Sequence, residues 1–152
     1  MKTANEMEHR VFLKRSFNTS AIELYNWFVE PSLLAQWFGP QNTTVGKVET
    51  DVRVGGRYSI ELNFEAGGGF KVVGQYEVLQ SPHLLAFTFQ YEGLPNPAPN
   101  SLVTIRLQET SSEQTVVSFT QAFELEPGNM QSRTVAWNYM FDLLGALASA
   151  TN

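Results

Sequence analysis

The chain has 152 residues, 43% hydrophobic and 16% charged, with a formal net charge of −5. That length supports one domain, residues 1–152, with a sizeable core. The acidic balance leaves no basic stripe for phosphates, which argues against nucleic acid, and the lack of cysteine excludes disulfides and thiolate metal sites.

Met1 to Arg10 is polar and of mixed charge, without the apolar core of a signal peptide. No run approaches the roughly 20 apolar residues of a membrane span. The expectation is a cytoplasmic protein with no membrane partner. Val11, Leu13 and Phe17 mark a first strand. Ser20 and Glu23 have capping-box spacing, and the helix that follows carries Ile22, Tyr25 and Phe28/Val29 at helical intervals before Pro31 stops it. The stretch Glu30 to Pro40 reads as a second helix, started by Pro31 at its first position and ended by Gly39-Pro40. Barely two turns long, it cannot be stable alone, so Trp37 and Phe38 must dock on something already built.

From Val45 the apolar period changes to two. Val48, Val52 and Val54 alternate with Glu49, Asp51 and Arg53, which places the two carboxylates outward, and Gly55-Gly56 supplies a hairpin turn. Tyr58, Ile60, Leu62 and Phe64 form the next inward row, and a second turn follows at Gly67-Gly68-Gly69. That triplet is no phosphate loop, because neither Lys-Ser/Thr nor a helix follows it. Val72, Gly74, Tyr76 and Val78 share a face, as do Leu85, Phe87 and Phe89. Glu92 to Asn100, with three prolines, is a stiff loop. Val103, Ile105 and Leu107, then Val117, Phe119 and Gln121, complete the inward rows. Asn129 to Ala150 is an amphipathic helix with Met130, Trp137, Met140, Phe141, Leu144, Leu147 and Ala148 on one face. Arg133 and Thr134 lie on that face one turn earlier.

About six antiparallel strands present one apolar face, and a single long helix is available to cover it. A strongly curved sheet gripping that helix is the economical arrangement, an α+β helix-grip fold with two short helices after the first strand and a core from about 11 to 148. Such a sheet meets its helix at one end and stands off at the other, leaving a pocket roofed by the short aromatic helix.

Four pieces in order carry a family likeness: Pro31 to Pro40 with its Trp-Phe-Gly-Pro ending, Asp51 to Tyr58 with Gly55-Gly56, Gly74-Gln75-Tyr76 followed by Leu84 to Phe89, and the helix of Trp137, Phe141, Leu144 and Leu147. The chain resembles the SRPBCC (START and birch-pollen-allergen-like) superfamily, in the branch similar to the C-terminal domain of the activator of heat-shock protein ninety ATPase. Where that family usually has Gly before the terminal Trp this chain has Ala136, and near the position of Gln121 the family often has His.

The inward rows converge on one lining: Trp37 and Phe38 from the lid, Tyr58, Ile60, Tyr76, Phe87, Phe89 and Phe119 from the sheet, and Trp137, Met140 and Phe141 from the helix. Small-molecule pockets are mostly apolar with a few placed polar groups, here the phenols of Tyr58 and Tyr76, Gln121 and Arg133. A guanidinium suits a ligand carboxylate or phenolate. His9 and His83 have no nucleophile or carboxylate pattern beside them, so a triad or zinc site lacks parts, and no catalytic residue, metal or cofactor is assigned. The leading expectation is non-catalytic binding of a small hydrophobic or aromatic ligand between sheet and terminal helix. Two alternatives follow from the resemblance: an aromatase/cyclase-like enzyme using Tyr76, Gln121 or Arg133 on a polyketide-like substrate, and a co-chaperone stimulating a chaperone ATPase. A homodimer is also left open.

Overall fold

The computed structural model describes residues 9–150, with side chains to 149; the first eight residues of the polar N-terminal stretch lie outside the described residues. In chain order the elements are β1 (His9–Phe17), α1 (Ala21–Val29), α2 (Pro31–Trp37), β2 (Thr43–Thr50), β3 (Arg57–Phe64), β4 (Gly69–Gln80), β5 (Leu84–Glu92), β6 (Ser101–Ser111), β7 (Gln114–Phe123) and α3 (Met130–Ala150). The seven strands form one antiparallel sheet in the order β1-β7-β6-β5-β4-β3-β2. This is the α+β helix-grip arrangement that the alternating rows and the single long helix predict, with α3 against the apolar face. No helix among the described residues is long and apolar enough to cross a membrane.

Local chemistry accounts for the joints. The Ser20 hydroxyl accepts from the Glu23 N–H at 3.3 Å, and the Ala21 N–H donates to Glu109 on β6 at 2.8 Å, so the start of α1 is tied to the sheet. Pro31 occupies the first position of α2, and the helix stops at Phe38, whose N–H donates to the Leu34 carbonyl at 3.0 Å. Gly39 then takes φ +123°, a conformation that side chains disfavour. Its N–H points at the Met140 sulfur, 3.1 Å away, so the turn after α2 is seated on α3. On α3, Trp137, Met140, Phe141, Leu144 and Ala148 are buried at helical spacing. Arg15 of β1 holds the outer side of the same helix through Asn138 at 3.1 Å and Asp142 at 2.7 Å.

Four expectations are corrected. Phe64, read as the last residue of the inward row of β3, is exposed at the end of that strand. Ile22 is exposed, and α1 instead buries Ala21, Leu24, Tyr25, Trp27, Phe28 and Val29, a stripe displaced from Ile22 around the helix. Val52 and Val54 are exposed at 45% and 63% because β2 ends at Thr50 and residues 51–56 form a turn stapled by the Asp51–Arg53 ion pair. The inward row of β4 does not run on to Val78: a bulge after Tyr76 moves the next inward place to Leu79, which packs on the core opposite Leu85. A bulge inserts one residue and flips the alternation beyond it.

Candidate functional site

The inward aromatics form a nearly continuous stack, and three rings divide the space inside it. Phe38, at the end of α2, lies 6.0 Å from Trp137 and 6.4 Å from Phe89, and Phe89 lies 5.8 Å from Trp137, centroid to centroid. These rings make a partition. Below α2, on one side, are Trp37, Tyr58, Ile60, Tyr76 and Phe87, with a void of about 30 Å³, the space of one water. On the other side, toward the first turns of α3, a cavity of about 230 Å³ opens between Leu62, Val72, Phe70 and Tyr91 of the sheet and Arg133, Ala136 and Met140 of the helix.

The site residues read from the sequence therefore divide. Trp37, Tyr58, Ile60, Tyr76 and Phe87 surround the small void; Gln121, Arg133 and Met140 face the larger cavity; Phe38, Phe89 and Trp137 border both. Phe119 and Phe141 border neither, being fully buried beneath Trp137, with Phe119 only 4.4 Å from its ring. Sequence reasoning missed Pro40, Leu62, Phe70, Val72, Tyr91, Ser132 and Ala136 as lining residues. Phe70 and Tyr91 were within reach of it, since each extends an inward row by one step of two, from Val72 and from Phe89.

Most polar groups here are already committed. The Trp37 indole donates to the Trp27 carbonyl at 2.9 Å, and the Tyr58 hydroxyl to the Thr88 carbonyl at 2.6 Å. To reach it, the Tyr58 ring lies across Gly74, where any β-carbon would stand 2.7 Å from that ring and collide with the Thr88 carbonyl. Gln121, 1% exposed, accepts from the Trp137 indole at 2.8 Å and donates to Ser101 at 3.0 Å. Burial pushes the Tyr58 phenol well above its usual 10.0, and the neighbouring Tyr76 and Tyr91 add to the rise. Tyr76 is raised as well, mainly by burial and then by Tyr25 and Asp51.

Arg133 is the exception. Its guanidinium makes one long hydrogen bond, Nη2 to the Pro127 carbonyl at 3.3 Å, and lies 5.1 Å from the centre of the Phe123 ring. Its Nε is buried with no hydrogen-bond partner among the described residues, and none of their carboxylates pairs with it. A buried donor on a charged group left unmade costs roughly 1–3 kcal/mol or more. Tyr91 stands beside it: burial raises that phenol, and the Arg133 charge pulls it back down.

His9 has a carboxylate neighbour that the sequence did not reveal, Glu126 at 3.1 Å, but both lie at the surface away from the cavity. No group of three or more His, Asp or Glu among the described residues could hold a metal ion. A concavity of about 600 Å³ lies on the outer face of the twisted sheet, where Glu49, Asp51, Arg57, Lys71 and Glu92 line a polar saddle. Charges of both signs, all free to be solvated, give it no apolar body to hold a ligand.

The chain matches the family described as Activator of Hsp90 ATPase homolog 1-like protein over residues 18–149. No curated protein matches it significantly. Among solved structures, a Chromobacterium violaceum protein is similar at 26% identity with a TM-score of 0.84, covering 94% of this chain and 99% of that one. A Nitrosomonas europaea protein follows at 21% and 0.77, covering 93% and 95%. The AHSA1 protein of Silicibacter pomeroyi is 19% identical at 0.74, covering 95% and 100%.

Proposed function

The chain belongs to the Activator of Hsp90 ATPase homolog 1-like family, and on that premise we propose that it binds a small, largely apolar molecule in the cavity beside Trp137 and Arg133 without transforming it. The observation that carries this reading is the 230 Å³ cavity, set against a space of about 30 Å³ under α2. An apolar cavity of about 150 Å³ is enough to hold benzene, so a substituted single ring fits here. The lining is chiefly hydrophobic and aromatic, as ligand sites are, and folds of this type commonly bind hydrophobic ligands. Among the described residues neither a carboxylate nor an imidazole lines the cavity, which favours binding over acid–base chemistry. The reading needs neither a chaperone partner nor a second copy of the chain, and it suits a cytoplasmic protein.

The test is a thermal-shift screen of small substituted aromatics against the wild type and Ala136→Leu, whose added side chain enters the cavity. A guest present at a hundred times its Kd stabilises by about 2.7 kcal/mol, or roughly 5–10 °C in a chain of this size. The shift is expected in the wild type and absent in Ala136→Leu. Equal shifts in both proteins, or none in the wild type, would count against the cavity as the site.

A further inference from the structure

We propose that the molecule held in this cavity is a small aromatic carboxylic acid, with its ring against Trp137 and Met140 and its carboxylate on Arg133. The inference rests on the binding reading above and adds the charge of the ligand. Three observations converge on it. First, the cavity has one polar end: Arg133 and Tyr91 border both the 230 Å³ cavity and a more open concavity of about 360 Å³ that continues it outward past Pro40 and Phe70. A guest entering that way passes its last atoms beside the guanidinium.

Second, Arg133 has donors in reserve. The protein uses it for one 3.3 Å contact, leaves Nε buried and unpartnered, and supplies no described carboxylate to neutralise it. A planar guanidinium pairs best with a planar two-oxygen anion, which can accept from two N–H groups at once. Third, the neighbouring Gln121 and Thr134 do not compete. Gln121 is held between Trp137 and Ser101, and Thr134 donates to the Met130 carbonyl at 3.2 Å. Tyr91, which lines both concavities together with Arg133, offers its hydroxyl as a second donor for the same anion. One cation and one neutral phenol balance a monoanion, whereas a phosphate dianion would keep an uncompensated charge against an apolar wall.

Phenylacetate and its neutral isostere phenylacetamide test this, each titrated by NMR into the wild type, Arg133→Leu and Arg133→Lys. The acid is expected to bind the wild type at least tenfold more tightly than the amide. In Arg133→Leu that preference falls to near one while amide affinity stays within about threefold, and Arg133→Lys keeps part of it. Equal binding of acid and amide by the wild type, or a preference that survives in Arg133→Leu, overturns the charge assignment and leaves the cavity reading standing. Failure of both probes to bind the wild type overturns the two together. The wild-type acid/amide ratio is decisive even if a substitution unfolds the protein.

Discussion

Under α2, Phe28, Trp37 and Phe141 meet at centroid distances of 5.6 to 6.3 Å, and the indole of Trp37 is satisfied by the carbonyl of Trp27. Beyond Phe38 the same kinds of residue, among them Phe70, Tyr91 and Met140, stand around a space of about 230 Å³, and Arg133 keeps a donor unmade. Residue type does not separate the two ends. What differs is how many elements close on each. Two short helices and the middle of α3 press on the sheet at the first end, while only the opening turns of α3 and the strand ends face each other at the second. A curved sheet around a straight helix must part from it somewhere, and here it parts where no third element fills the gap.

Removing the plug of the closed end should produce the largest effect. Trp37→Ala takes out a ring 3% exposed together with its hydrogen bond, and large-to-small changes of this kind cost about 3–5 kcal/mol. Urea unfolding measures it, and a loss below 1 kcal/mol would mean that the closed end is not packed as described.

Alkaline titration separates the ends through their tyrosines. Tyr58 and Tyr76 have folded-state pKa values raised above 10.0, so the unfolded chain releases those protons first. Their contribution is constant below pH 10, and above it the folded state loses about 1.4 kcal/mol per pH unit for each phenol still protonated. At the open end Arg133 counters burial at Tyr91, so Arg133→Leu should raise the Tyr91 pKa further. Ultraviolet difference spectra of single Tyr→Phe variants resolve the three. A stability that rises through pH 10 would contradict the direction of these shifts.

The smallest effect is expected where the space already exists. Ala136→Leu adds a side chain to a half-buried position facing the cavity and should change stability by less than about 1 kcal/mol, against the 1–3 kcal/mol that overpacking costs in a filled core. A larger penalty in urea would show that the cavity is closed in solution.

Much of this was legible in the chain. Proline at the start of α2, the Gly39-Pro40 stop and the period-two rows fix the order of elements, and the Trp137, Met140, Phe141, Leu144 stripe fixes which face of α3 is inside. Periodicity failed where the backbone breaks its own rule: the bulge after Tyr76 exchanged Val78 for Leu79, and the turn at 51–56 carried Val52 and Val54 out of the strand. The division of the interior was not legible at all. It depends on three rings from α2, β5 and α3 meeting at about 6 Å, and one-dimensional spacing does not report distances between elements so far apart in sequence. The partner of Trp137, Gln121, was read as a polar group of the pocket for the same reason.

The central claim is that one end of the groove accepts a guest and the other does not. Methyl spectra of the protein titrated with toluene test it directly, because ring currents report which methyls the guest approaches. The account predicts saturable shifts at Met140, Leu62 and Val72, with Leu34, Ile60 and Ile105 unmoved. Shifts of similar size in both sets, or none at Met140, would contradict it.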